Sequence, residues 1–186
     1  MEMNIAVIPG DGIGPEITTA AIIVLEAIAE KYGHVLNLQY VKACSQSVEE
    51  SGEPLPKEAL ETCLQADAVL LGNTGLEKYK NLPLSKRPEY ALLKLRKELK
   101  VTTNIRPVHV YPELKLLSPL NQNALSKGLD YLFVRDIAGG VLCSDQVKGE
   151  GENGPEAYEY EYYNQKIVEE TAGFAFELAK PAKEKW

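Results

Sequence analysis

The stretch Asn4-Ile-Ala-Val-Ile-Pro-Gly-Asp-Gly-Ile-Gly-Pro-Glu16 decides the fold class of this chain. Its apolar beginning is typical of a buried strand, and Pro-Gly ends that strand. A helix is predicted from about Pro15 to Tyr32, because proline suits the first helical turn and Gly33 suits the residue after the last turn. A buried strand, a glycine-rich turn and a helix form the start of a βαβ unit, so the sequence predicts an α/β fold.

Strand-like and helical segments continue to alternate along the chain. The order favours βαβ units and a mostly parallel sheet. The first helix carries an apolar stripe at helical spacing, formed by Ile17, Ala21, Val24, Leu25 and Ile28. Further strands are predicted at Val35–Val41, Ala68–Leu71, Thr102–Tyr111 and Tyr131–Arg135, and further helices at Lys57–Gln65, Pro88–Lys100 and Gln165–Lys180.

The elements indicate two lobes. Residues 1–101 form the N-terminal part of a first, cofactor-side lobe, and residues 102–186 form part of a second, substrate-side lobe. The run Tyr158–Tyr163 alternates with period two, which is typical of a β-strand. We therefore predict a β-arm at about residues 141–163.

Composition excludes several classes of protein. The 186 residues are 45% apolar and 25% charged, the balance of a soluble globular domain. A net charge of -7 argues against binding to a nucleic-acid backbone. The sequence shows neither a signal-peptide pattern nor an apolar stretch that could span a membrane. Three scattered cysteines without metal-ligand spacing indicate free thiols in the cytoplasm.

The glycine-rich turn does not fit a dinucleotide-binding fingerprint. Gly10, Gly12 and Gly14 give G-x-G-x-G, and Pro15 stands where a third fingerprint glycine belongs. The acid expected ~20 residues further on would be Glu30, which falls inside the helix. Spacing alone therefore favours a tight structural turn. For the acids of the turn, Asp11 and Glu16, a capping or helix-dipole role is favoured over catalysis.

Three arginines follow apolar or strand-like segments: Arg96, Arg106 and Arg135. Guanidinium groups bind carboxylates in a bidentate way. An arginine near a buried strand end needs an anion or an acidic partner. Each could pair with a local acid, such as Asp136 beside Arg135, but three in similar settings favour one anion site.

Taken together, these segments resemble the isocitrate/isopropylmalate dehydrogenase family up to about Ala179. The opening stretch is very similar to that family's N-terminus, and Arg87-Pro-Glu89 with the Leu92-Leu93 pair favours its isopropylmalate branch. The motifs that follow in family order are Gly52-Glu-Pro-Leu-Pro56, Ala68-Val-Leu-Leu-Gly72, Leu95-Arg-Lys97, Asn104-Ile-Arg-Pro107 and Leu117-Ser-Pro-Leu120.

The resemblance implies NAD-dependent oxidative decarboxylation of the kind used in leucine biosynthesis, with Mg or Mn. It implies that Arg96, Arg106 and Arg135 converge to bind the carboxylates and hydroxyl of a malate-like di-acid. Leucines suit an apolar substituent, since burying one such side chain is worth about 1.5–3 kcal/mol. The resemblance places Glu89, Leu92 and Leu93 at the isopropyl group and the nicotinamide end, and it places near NAD the residues Ile13, Gly72, Asn73, Thr74 and Gly75.

The sequence also departs from the family pattern. Leu142 stands where the family has a tyrosine that acts as a general acid, and leucine cannot transfer a proton. Ala138 replaces a threonine, and Gly75-Leu76-Glu77 replaces Gly-Gly-Pro. The chain stops at Trp186, whereas family members are roughly twice as long and carry the catalytic lysine, the metal-binding aspartates and the adenine-binding loop in their second half.

Two functional interpretations follow from these departures, beside the plainer one of a gene remnant whose product folds poorly. In one, the chain is a truncated dehydrogenase that is active only if a second chain supplies the other half. In the other, which the departures favour, it is a non-catalytic paralogue that binds a small di-acid or a dehydrogenase partner. In both, we expect this chain alone to bind neither NAD nor metal stably and to form a homodimer through the Tyr158–Tyr163 arm.

Overall fold

The computed structural model describes residues 1–121, 123, 125–126, 128–143 and 146–180, with the side chains of Leu142 and Gln146 left aside. The chain divides into two compact units, Met1–Lys100 and Val101–Trp186. Within the described ranges, no helix is both long and apolar enough to cross a membrane.

The first unit is built on a three-stranded parallel sheet. Its strands are β1 (Glu2–Gly10), β2 (Val35–Tyr40) and β3 (Ala68–Asn73), in the order β2-β1-β3. Ile5 of the central strand pairs with Leu38 on one side and with Ala68 on the other. The predicted α/β fold with parallel βαβ units is therefore confirmed in this unit.

Four helices accompany the sheet: α1 (Gly14–Tyr32), α2 (Cys44–Ser51), α3 (Lys57–Gln65) and α4 (Tyr90–Glu98). Two short 3-10 turns, Glu77–Tyr79 and Leu84–Lys86, lie between β3 and α4. Sequence reasoning missed α2 because this polar segment has a single large aliphatic residue and so no apolar periodicity to read.

The central strand β1 places alternate side chains in two core clusters. Ile5 and Val7 pack with Ile22 of α1. Ala6 and Ile8 point the other way, into a larger cluster with residues of α3 and α4. This alternation is the period-two geometry of a strand buried on both faces.

The apolar stripe of α1 is not its buried face. Ile17, Val24 and Ile28 are exposed, and the residues that face the sheet include Thr18 and Ile22. At Thr18 the helix lies very close to β3, since a Cβ added to Gly72 would come within 2.7 Å of Thr18 Oγ1. A larger side chain would not fit at that contact, whereas Ile22 packs with Ile5 and Val7 elsewhere on the same face.

The second unit contains two separate antiparallel pairs and a helix. Strands β4 (Thr103–Val110) and β5 (Leu129–Asp136) pair along their whole length. Helix α5 (Gln165–Ala179) packs on β5. The side chain of Asn164 caps α5 by accepting the Ile167 N–H at 3.0 Å, which satisfies one of the free amides of the first helical turn. Short 3-10 turns lie at Pro112–Leu117 and Val141–Cys143.

A β-hairpin lies inside the range of about 141–163 and includes only the first two residues of the Tyr158–Tyr163 run. Strands β6 (Gln146–Gly151) and β7 (Gly154–Glu159) form a hairpin, and Tyr160–Tyr163 follow it outside any strand. Glu152 and Asn153 form the two-residue turn between the strands, and Gly154 begins β7 at a φ of 105°. The polar segment Lys148–Pro155 is thus part of the hairpin, in which Gly151 pairs with Gly154 across a two-residue turn.

Candidate functional site

The glycine-rich turn after β1 packs against the end of β3, backbone against backbone. A Cβ on Gly10 would lie 2.0 Å from the Asn73 carbonyl oxygen, and one on Gly14 would lie 2.3 Å from the Pro9 oxygen. A Cβ on Gly72 would lie 2.1 Å from that same Pro9 oxygen. These glycines are required by contact between two chain segments, which agrees with a tight structural turn.

Asp11 joins the turn to its neighbours. It is 2% exposed, and its carboxylate accepts the Ser45 N–H at 2.8 Å and the Gly75 N–H at 2.7 Å. Its own backbone N–H donates to the Asn73 oxygen at 2.7 Å. A capping role was favoured for Asp11, and the helix whose first turn it engages is α2 rather than α1, because Ser45 lies in α2.

The predicted cofactor-side residues lie around this turn. Ile13 is the N-cap residue of α1 and is exposed. Gly72 and Asn73 end β3, and Thr74 and Gly75 follow them. The structure therefore brings these five residues to one edge of the parallel sheet, where two loops meet.

The two unusual residues of the second loop lie in different surroundings. Leu76 is half-buried and covers the turn, since a Cβ on Gly12 would lie 3.6 Å from Leu76 Cδ2. Glu77 is exposed and pairs with Lys80. The added negative charge at Glu77 is thus directed to solvent and partly compensated, while the added bulk of Leu76 lies on the glycine turn.

Glu89 lies against the same loop and carries an unused acceptor. A Cβ on Gly75 would come within 2.8 Å of the Glu89 side chain. Glu89 Oε2 is buried without a hydrogen-bond partner in the described part of the chain. A buried acceptor left unsatisfied costs about 1–3 kcal/mol, so this position suits a ligand that brings a donor.

Cys44 lies close to Asp11 and Glu89, and its thiol is unreactive at neutral pH. It is fully buried at a φ of 61°. Burial raises the pKa of its thiol to about 12, and the carboxylates of Asp11 and Glu89 add to the rise. The thiol therefore stays protonated at neutral pH and is not a nucleophile there.

Helix α4 presents four of the predicted substrate residues on one side. Glu89, Leu92, Leu93 and Arg96 follow the i, i+3, i+4, i+7 spacing of a single helical face. Ala91 and Leu95 are buried in the core on another side of the helix. Arg96 forms no hydrogen bond or ion pair within the described ranges, so its guanidinium group is available to an anion.

Arg106 and Arg135 share one face of the β4–β5 pair. Arg135 stands opposite Asn104, and Arg106 lies two residues along the same strand from Asn104. Directly opposed residues and residues two apart point to the same side of a sheet. Arg106 Nε donates to Asn104 Oδ1 at 2.8 Å, so the amide orients one guanidinium group next to the position of the other.

Asp136 does not neutralise Arg135. Its carboxylate accepts the Ala138 N–H at 2.7 Å and the Gly139 N–H at 3.3 Å. Consecutive strand residues also point to opposite faces. Neither Arg106 nor Arg135 forms an ion pair with a described residue, and the alternative in which each arginine pairs with a nearby acid is not observed there.

The backbone of Leu142 lies in the turn Val141–Cys143, but its side chain lies outside the described structure. The tail after Lys180 also lies outside the described residues. Among the residues that are described, no group of three or more His, Cys, Asp or Glu side chains could hold a metal ion.

Sequence reasoning missed the joint role of Asp11, Ser45 and Cys44. The partners of Asp11 lie 34 and 64 residues away in the sequence, and no local pattern links them. The available signal was a lone acid between glycines after a buried strand, which indicates a backbone-binding carboxylate but does not name its partners.

Comparisons with known proteins agree with this geometry. Residues 4–186 match the family model described as isocitrate/isopropylmalate dehydrogenase. Over 184 residues the chain is 42% identical to 3-isopropylmalate dehydrogenase of Clostridium pasteurianum, covering 99% of this chain and 52% of that protein. Over 178 residues it is 43% identical to the Clostridium acetobutylicum enzyme of the same name, and this alignment covers 96% of this chain and 50% of that enzyme.

A solved structure supports the same conclusion. The β-decarboxylating dehydrogenase from Thermococcus kodakarensis, in its apo form, superposes with a TM-score of 0.66 at 28% identity, over 96% of this chain and 46% of that one. The chain spans about half the length of the curated relatives it matches.

Proposed function

Because this chain belongs to the isocitrate/isopropylmalate dehydrogenase family, we propose that it provides the N-terminal half of an NAD-dependent 3-isopropylmalate dehydrogenase of leucine biosynthesis. In this role it binds the carboxylates of a small di-acid. The observation that carries the proposal is the pair Arg106 and Arg135, which share a strand-pair face without an acidic partner among the described residues.

Each part of the site has a chemical task in this proposal. The guanidinium groups of Arg96, Arg106 and Arg135 bind carboxylate oxygens in a bidentate way and orient the hydroxyl-bearing carbon. Leu92 and Leu93 offer apolar surface to the isopropyl group. One helical face of α4 therefore combines an anion-binding end with an apolar patch, which suits a branched di-acid.

The residues at the two loops fit NAD. The buried and unpartnered Glu89 Oε2 suits a ligand with N–H donors, and the carboxamide of nicotinamide is such a group. Ile13 and Gly72–Gly75 would hold this end of the cofactor. NAD accepts a hydride from the substrate when bound, and the protein residues hold the two reactants together.

The described residues do not fit a resident metal ion. We therefore assign no metal-dependent step to this chain. The proposal is that groups in the second half of the relatives' length are needed for turnover, so that this chain alone binds substrate weakly and does not decarboxylate it.

Calorimetry with 3-isopropylmalate tests the carboxylate site. Arg135→Met removes a charged bidentate donor, worth about 1.5–3 kcal/mol, so the dissociation constant should rise at least about tenfold. Arg135→Lys keeps the charge but not the fork geometry and should fall between Arg135→Met and the wild type.

Lys166→Met is the matched control for the loss of one positive charge. Lys166 is an exposed lysine of the same unit, paired only with Glu170 in the described structure. The dissociation constant of Lys166→Met for 3-isopropylmalate should stay within about twofold of the wild type, because an exposed ion pair contributes little. Equal changes of the dissociation constant in Arg135→Met and Lys166→Met would contradict a carboxylate-binding role for Arg135.

Leu142 favours a second candidate function, in which the chain binds a di-acid without chemistry. A leucine at the position of the general acid cannot transfer a proton. NADH absorbance separates the candidates when this chain is mixed with the C-terminal half of the Clostridium pasteurianum relative. Turnover restored only by Leu142→Tyr supports the second candidate, and turnover by the unaltered chain supports the first.

The exposed Tyr158 and the Tyr160–Tyr163 segment beside the β6–β7 hairpin offer an aromatic surface, and we propose that it contributes to a homodimer. Light scattering that gives a monomer at micromolar concentration would remove this proposal. All three cysteines are free thiols, which supports a reducing compartment such as the cytoplasm.

A further inference from the structure

We infer that Asp11 is a positioning residue that fixes the spacing between the two loops of the cofactor-side site. The inference rests on the proposed function, since a nucleotide held between Ile13 and Gly72–Gly75 requires a fixed distance between them. Asp11 acts through these loops and does not itself touch the reacting atoms.

The hydrogen bonds of Asp11 tie three segments together. Oδ1 accepts the Ser45 N–H at 2.8 Å, and Oδ2 accepts the Gly75 N–H at 2.7 Å. Its main-chain oxygen accepts the Gly14 N–H at 2.8 Å. One residue therefore joins the turn before α1, the first turn of α2 and the loop after β3.

The environment of the carboxylate explains why it positions rather than reacts. At 2% exposure, each oxygen is turned toward a backbone amide, which leaves no open path to a substrate proton. Hydrogen bonds from amides to a carboxylate are about twice as strong as neutral ones. A buried carboxylate held in this way resists displacement of either loop.

The pattern of donors also explains why an acid is needed here. Both partners are N–H donors, so the residue must offer two acceptors. Asparagine has nearly the same shape but one of its two terminal atoms is a donor. Asp11→Asn would place an NH₂ group against the Ser45 or the Gly75 amide and release one of the two loops.

The contact between Glu89 and Gly75 relates the loop spacing to the expected ligand. Glu89 lies against Gly75, and its Oε2 has no partner in the described structure. A shift of Gly75 would move the loop relative to this acceptor. Asp11 therefore sets how Ile13 and the Gly75 loop meet a ligand beside Glu89.

Amide hydrogen exchange on the full chain tests the inference, with Asp11→Asn as the variant. Ile22→Ala serves as the control because Ile22 packs with Ile5 and Val7 in a separate core cluster. The exchange of the Ser45 or the Gly75 amide should become at least about tenfold faster in Asp11→Asn. The control should accelerate exchange across the unit without singling out these two amides.

NAD titration by ligand-observed NMR gives a readout that a purely stabilising role would not change. At a temperature where both variants are folded, NAD affinity should fall about tenfold in Asp11→Asn and stay within about twofold in Ile22→Ala. Exchange that matches the control, or unchanged NAD affinity in Asp11→Asn, overturns the inference.

Two further results keep the inference separate from the proposed function. If the wild-type chain binds no NAD, the cofactor part of the proposed function fails, and amide exchange still decides whether Asp11 holds the loops. If Asp11→Asn does not fold, NMR scalar couplings across the Asp11 hydrogen bonds of the wild type test whether Asp11 holds both loops. Coupling of both the Ser45 and Gly75 nitrogens to Asp11 Cγ supports the inference, and its absence overturns it.

Discussion

Cys44 illustrates how much of the site is set by single residues. It is buried at a φ of 61°, a left-handed conformation that L residues rarely adopt. Its thiol lies near the carboxylates of Asp11 and Glu89, and burial raises its pKa to about 12. Because the unfolded thiol has an ordinary pKa of 9.0, the two states bind its proton differently in alkali.

The raised pKa of Cys44 predicts a loss of stability at high pH. A raised folded pKa contributes stability that is fully present below pH 9 and is lost as pH rises toward about 12. Chemical denaturation at pH 8 and pH 10.5 checks this in the wild type and in Cys44→Ala. The wild type should lose up to about 1.4 kcal/mol per pH unit more than the variant, and parallel losses would contradict the account.

At the scale of residues, the sequence identified candidate anion-binding arginines but not the partners of their neighbouring acids. Arg96, Arg106 and Arg135 were identified because arginine next to apolar segments is unusual. The separation of Arg135 from Asp136 could not be foreseen, because it depends on strand register and on the turn at Ala138 and Gly139. Pairing by sequence proximity fails wherever a strand turns adjacent side chains to opposite faces.

At the scale of elements, the clearest difference between pattern and structure is the orientation of α1. The stripe that includes Ile17, Val24 and Ile28 has the right spacing, yet Thr18 and Ile22 face the sheet. A periodic pattern identifies a helix, but the side that the helix buries depends on which neighbours pack on it. The bounds of helix α3 are those that the sequence predicted.

The close contact between α1, the glycine turn and β3 gives a stability prediction. Gly72→Ala would place its Cβ 2.1 Å from the Pro9 oxygen. Overpacking of this kind costs about 1–3 kcal/mol, so the melting temperature followed by circular dichroism should fall by about 5 °C.

Gly149→Ala is the matched control for that substitution. Gly149 lies in β6, and an added Cβ meets no heavy atom within 4 Å. Its melting temperature should stay within about 1 °C of the wild type. Equal behaviour of the two variants would mean that the packing of the turn against β3 is not the reason for glycine at position 72.

At the scale of the whole molecule, the family assignment and the fold agree. The alignment with the Clostridium pasteurianum enzyme covers 99% of this chain but 52% of that enzyme. Arg96 belongs to the unit Met1–Lys100, and Arg106 and Arg135 belong to the unit Val101–Trp186. The sequence predicted both sets of residues through the family motifs, and their convergence on one ligand stays a prediction.

Titration of the full chain with 3-isopropylmalate, followed through the arginine Nε–H signals in a ¹⁵N-resolved NMR spectrum, tests that convergence most directly. Arg87 is an internal control, because its Nε donates to the Leu82 oxygen at 2.7 Å. The account predicts that the signals of Arg96, Arg106 and Arg135 shift along one common saturation curve while that of Arg87 stays still. Signals that do not shift, or that saturate at different concentrations, would contradict it.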